Sequence, residues 1–170
     1  NVKVGYIPQR LHLDYYLPMT VQEFLNLKPK ITKEDIKRVF ELVKIDSAFA
    51  KKSLAKLSGG ELQKTLVAWT IADNPDLLIL DEPTENVDVV GQESIYNLLH
   101  ELQDKTDMGI IIVSHDLTAV SKFATSVLCL NKKMVCFGEP IKTLNAENLA
   151  SLYGGESAFF HHAHHQNHLN

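Results

Sequence analysis

Short apolar runs alternate with amphipathic stretches along this chain. Residues 77–80 read Leu-Leu-Ile-Leu and residues 110–113 read Ile-Ile-Ile-Val. Runs that are apolar at every position and only strand-length predict parallel strands covered on both faces. Residues 2–7 predict a further strand, which Pro8-Gln9 ends. Between the strands the period changes. Ile36, Val39, Phe40 and Val43 fall at i, i+3, i+4 and i+7, one stripe of a helix that Thr32 caps. Thr20 caps a shorter helix through Leu27, stopped by Pro29, and a helix from Gly59 to about Ala72 is closed by Asn74-Pro75. Ile95, Leu98, Leu99 and Leu102 line one face of a helix predicted over 92–104. A short helix is predicted over 117–124. A hairpin follows, with strands 126–130 and 134–138, and a last helix spans 146–153 before Gly154-Gly155.

Strands alternating with helices give an α/β doubly wound sheet with right-handed crossovers, interrupted by a mostly helical stretch over 11–72. The 170 residues suffice for one domain with a core, and 45% hydrophobic with 22% charged residues is ordinary globular composition. A formal net charge of -4 leaves no basic footprint, so no nucleic-acid partner is expected. The apolar runs fall far short of a membrane span, so a transport role needs a separate membrane partner. No signal peptide opens the chain. The two cysteines, Cys129 and Cys136, are expected as buried, reduced thiols on the hairpin, with a disulfide or a metal pair as the alternatives.

Four stretches carry chemistry. Ser58 and Glu61 stand at capping-box spacing around Gly59-Gly60, so a helix begins with bare N–H groups at its positive end, a setting for phosphate. Asp81 and Glu82 follow the 77–80 strand, at the carboxyl end where open α/β sheets bind ligands. Their side chains point in different directions, so one can serve Mg2+ while the other polarises a water. His115 ends the neighbouring strand, and Gln9 ends the first with an amide oxygen for Mg2+ or water.

In this order the pieces resemble the ATP-binding subunits of ABC transporters, from about Val2 to Gly138. Gln9 matches the Q-loop, Leu57-Ser58-Gly59-Gly60-Glu61 the signature, residues 77–82 the Walker B strand, Asp88 the D-loop and His115 the H-switch. The resemblance implies a P-loop NTPase core with a helical subdomain, divided as 1–10, 11–72, 73–138, a helical segment over 139–160 and a polar tail over 161–170. It implies ATP and Mg2+ as ligands, Asp81 and Gln9 serving the metal, Glu82 as catalytic base and His115 contacting the γ-phosphate. Ser58, Gly59, Gly60 and Glu61 would close over ATP held by a second copy in a head-to-tail dimer, with Asp88 lying across the interface. Integral membrane permease subunits would be further partners and a periplasmic metal-binding protein an indirect one, at the cytoplasmic face of a bacterial inner membrane. Residues 13–21 and the histidine-rich end are most similar to the family's zinc-uptake branch.

Several positions depart from the pattern. Lys64 and Trp69 stand where arginines are common, and Glu85-Asn86 where the D-loop residues are small. The loop G-x-x-x-x-G-K-[ST] that cradles phosphates is not in the sequence, so the chain is expected to be a C-terminal piece, inactive alone. Without the strand of that loop, the edge at residues 110–114 is expected to be unpaired. The tail holds five of the eight histidines, His161, His162, His164, His165 and His168, a set suited to Zn2+. Equal Zn2+ affinities with and without residues 161–170 would end that reading. Two other classes stay open: ABC-type ATPases of DNA repair, chromosome or translation function, and a non-catalytic metal-binding or association module.

Overall fold

The computed structural model describes residues 1–9, 18–85 and 87–153. The chain divides into two compact units, Asn1–His115 and Asp116–Asn170.

In the first unit, β1 (Val4–Ile7), β2 (Leu77–Asp81) and β3 (Gly109–Val113) form a parallel sheet in that order. Between β1 and β2 come α1 (Val21–Asn26), α2 (Lys33–Leu42), α3 (Ser47–Ala50), a 3-10 turn (Leu54–Lys56) and α4 (Gly59–Ile71); α5 (Val89–Lys105) joins β2 to β3. Three of these helices start on full capping boxes, Thr20 with Glu23, Thr32 with Asp35 and Ser58 with Glu61. The predicted stripe of α2 turns inward: Val39 and Val43 are fully buried and Ile36 nearly so. One core joins Ile7, Leu78 and Leu80 of the sheet to Leu66, Val67 and Ile71 of α4 and to Ile95, Leu99 and Leu102 of α5.

That core lies against one sheet face, which corrects the expectation of strands covered on both. Val4 and Tyr6 are each 56% exposed, Ile111 49% and Val113 51%. Their register partners Leu77 and Ile79 are half-buried. Side chains alternate across a strand, so Ile110 and Ile112 meet the core while their neighbours face away from it. β3 pairs only with β2 among the described residues, leaving the expected edge.

In the second unit, α6 (Leu117–Phe123) precedes a hairpin of β4 (Val127–Asn131) and β5 (Lys133–Gly138), followed by α7 (Pro140–Thr143) and α8 (Ala146–Tyr153). Lys132 turns the hairpin with φ of 57°, so the connection is tighter than the sequence suggested. Cys129 and Cys136 are joined in a disulfide, not left as the expected thiols. They stand directly opposite on the antiparallel pair, Cα to Cα 4.9 Å, within bridging range.

Candidate functional site

The parallel register brings the carboxyl ends of β1, β2 and β3 side by side. Asp81 pairs with Val113, and Ile7 with Leu80, so Gln9, the Asp81-Glu82 pair and His115 all leave the sheet at the same end. The chain turns sharply after Asp81. Glu82 has φ of 46°, and its N–H donates to the Val113 carbonyl at 2.9 Å. A non-glycine residue keeps such a conformation only where its surroundings enforce it. The turn aims the Glu82 carboxylate at His115, with Oε1 2.8 Å from Nδ1. Glu82 is 15% exposed at its side chain and His115 75%. A carboxylate can only accept, so His115 donates through Nδ1.

Asp81 faces the other way and accepts from the Tyr6 hydroxyl at 3.3 Å. Desolvation, followed by the charge of Asp81, raises the Tyr6 hydroxyl above its ordinary value and keeps it a donor. Gln9 donates through Nε2 to Glu85 at 3.0 Å. The turn carrying Glu85 is anchored from α5: Gln92 donates to the carbonyls of Thr84 and Val87, each at 3.1 Å, and Thr84 meets the Tyr96 hydroxyl at 3.3 Å. Asp88 caps α5 by accepting from the Gly91 N–H at 3.1 Å, which starts the helix three residues before the predicted position.

The signature forms a complete capping box. The Glu61 N–H donates to Ser58 Oγ at 3.3 Å, and Glu61 accepts from the Ser58 N–H at 3.1 Å. Lys52 binds the same carboxylate and, with the box, holds it below the ordinary carboxylate range. The N–H groups of Gly59 and Gly60 meet no acceptor among the described residues. Gly60 packs on the turn after β2: a Cβ there would stand 3.4 Å from Val87 and 3.7 Å from the Gly91 backbone. Signature and D-loop thus touch, whereas no hydrogen bond links Ser58, Gly59 or Gly60 to Asp81, Glu82 or His115.

Tyr6, Glu85, Gly91 and Gln92 were not singled out as site residues from sequence. Only Glu85 carried a signal, its departure from the small residues common in a D-loop. Among the described residues no group of three or more His, Cys, Asp or Glu could hold a metal ion. The tail histidines, Asn86 and residues 10–17 lie outside the described residues. No helix among the described residues is long and apolar enough to cross a membrane.

A parallel sheet with an acid pair ending its middle strand, a histidine ending the next and a glycine-led helix beside the turn defines an ATP-binding-cassette core of the P-loop NTPase class. A family model described as "ABC transporter" matches residues 1–85, and the chain belongs to that family. It is 42% identical to the zinc import ATP-binding protein ZnuC of Haemophilus influenzae, over 96% of this chain and 62% of that protein. It is also 42% identical to the ZnuC of Buchnera aphidicola, over 99% of this chain and 71% of that protein. The chain spans 62% and 65% of the length of the ZnuC proteins of Haemophilus influenzae and Haemophilus ducreyi. Among solved structures, an inward-facing ABC transporter described as of metal-chelate type matches with a TM-score of 0.76 and 26% identity, over 89% of this chain and 64% of that one. A dimeric ATP-binding cassette bound to ADP and phosphate matches in fold, with a TM-score of 0.58 and 24% identity, over 75% of this chain and 58% of that one.

Proposed function

We propose that this chain belongs to the ATP-hydrolysing subunit of a metal importer, with zinc as the transported ion, seated on membrane permease subunits at the cytoplasmic face. The observation that carries the ATPase reading is the Glu82–His115 pair at 2.8 Å, at the carboxyl end of the parallel sheet. Glu82 is the one carboxylate of the turn that is both mostly shielded and held by a ring nitrogen. Such a group can accept a proton from water as the water attacks phosphorus, while the imidazole fixes its direction. The zinc reading rests on the relatives, named as zinc importers, and the tail histidines fit it as a metal-buffering segment.

The residues present fit Mg2+. Asp81 offers carboxylate oxygen and Gln9 an amide oxygen, both hard donors. Two such residues leave the remaining positions to phosphate oxygens and water, in keeping with how this ion is held in nucleotide sites. When bound, the cation offsets the negative charge of the phosphates. The chain's own part is to orient those oxygens, to activate water at Glu82 and to cap phosphate with the Gly59 and Gly60 N–H groups. Because these N–H groups make no hydrogen-bonded connection to the acid pair of their own copy, the cap is assigned to a second copy, head-to-tail.

ATP turnover by the protein at full length, with its permease, tests this. The 170-residue chain, without G-x-x-x-x-G-K-[ST], is expected to show none. Glu82→Gln at full length should lower turnover by about 100-fold or more, the scale of a lost general base. Unchanged turnover in that variant would overturn the assignment.

A further inference from the structure

Glu85 lies in the turn between β2 and α5, and its carboxylate accepts from Gln9 Nε2 at 3.0 Å. The bond spans 76 positions of sequence and ties the end of β1 to the turn that leads to Asp88. Its polarity is fixed by chemistry. An ionised carboxylate only accepts, so the Gln9 amide must present its NH2 group to Glu85 and turn its carbonyl oxygen elsewhere. The platform under Glu85 is also fixed, by Gln92 on the Thr84 and Val87 carbonyls and by the Glu85 N–H donating to the Glu82 carbonyl at 3.3 Å.

We propose that Glu85 is a positioning residue for Gln9: it holds the amide by its nitrogen and so reserves the oxygen for the nucleotide-bound Mg2+. This rests on the ATPase reading above and adds to it a residue-specific link between the metal-facing loop and the D-loop of one subunit. A serine or alanine at this position could not make the link in the same way, having no acceptor of that reach.

The test uses the protein at full length with its permease. Glu85→Ala should raise the Mg2+ concentration for half-maximal ATP turnover by about fivefold, the effect of losing one charge-assisted hydrogen bond at an exposed site. At saturating Mg2+ its kcat should stay within about twofold of the unsubstituted protein. Glu85→Gln, whose amide oxygen still accepts, should restore the ordinary Mg2+ dependence. In a Gln9→Ala background, Glu85→Ala should add no further shift. An unaltered Mg2+ dependence in Glu85→Ala, or a shift that persists without Gln9, overturns the proposal. A second readout is independent of turnover: the side-chain NH2 resonances of Gln9 should move on Glu85→Ala. If the unsubstituted protein hydrolyses no ATP yet those resonances respond, the ATPase reading falls and the contact stands. If it hydrolyses ATP and the resonances do not respond, the proposal alone falls.

Discussion

Lys28 shows how a substituted position is absorbed. Trp69 stands where an arginine is common in the family, and it packs: its ring stacks on Phe24 with centroids 4.5 Å apart. Lys28, 8% exposed, lies over the same ring at 4.9 Å, donates to the Trp69 carbonyl and pairs with Asp73 at 2.8 Å. A charge thus remains at this position, carried by the turn after α1 instead of by α4. Lys28→Met should cost about 1–3 kcal/mol in urea unfolding, because it leaves a partly buried carbonyl without its donor. Asp73→Ala should cost less, since Asp73 is 65% exposed and water replaces its partner. Equal costs would show that the ion pair, not the carbonyl, carries the contact. Lys64 likewise keeps a local role, donating to the Lys44 carbonyl at 2.7 Å, and partial burial lowers its ordinary value. Glu82 and His115 were legible in the sequence because each stands two positions beyond an apolar run whose end must lie at the sheet's carboxyl edge. Gln92 and Tyr6 were not: Gln92 binds two backbone carbonyls, which no residue type announces, and the carboxylate that Tyr6 meets lies 75 positions along the chain.

The helices of the first unit owe their starts to side chains that are themselves titratable. Glu23 is held below its ordinary value chiefly by the Thr20 N–H, Asp35 by the Thr32 hydroxyl and Glu61 by Lys52. A carboxyl whose folded value is lowered contributes stability that is complete above the unfolded value and is lost as pH falls through the folded one. All three boxes therefore weaken together on acidification. The urea midpoint should be steady near neutrality and fall progressively below about pH 5. Replacing Glu23, Asp35 and Glu61 by glutamine should flatten that fall, and an unchanged acid slope in the triple variant would contradict it. These starts were readable from sequence, since Thr-x-x-Glu, Thr-x-x-Asp and Ser-x-x-Glu each precede a helical period. The four-residue α3 and α7 were not, being too short to show a period. The half-exposed face of β3 was also hidden, because an all-apolar run reads the same whether one face is covered or two. The disulfide escaped for a different reason: a turn at Lys132-Lys133 already sets Cys129 opposite Cys136 in the sequence, but two cysteines so placed read equally well as buried thiols.

At the scale of the molecule, the first unit offers two sets of unspent chemistry. One is the acid pair with its histidine at the sheet's end; the other is the pair of glycine N–H groups that open α4. They are joined through the turn after β2, where Gly60 meets Val87, and not by direct contact. Under the proposed function they serve different nucleotides, the cap of one copy completing the acid pair of the next. That the His115 strand neighbours the Asp81 strand was read from the sequence, and the family resemblance implied a cap for a second copy; the full strand order and the lack of a hydrogen bond between the two sets required the fold. Mixing two variants of the protein at full length, Ser58→Arg and Glu82→Gln, separates the two arrangements. Each alone should lack ATP turnover. A mixed dimer contains one site with both an unaltered Glu82 and an unaltered Ser58 only if the cap acts across the interface. Mixing should therefore restore measurable turnover. Two inactive variants that stay inactive after subunit exchange would contradict it.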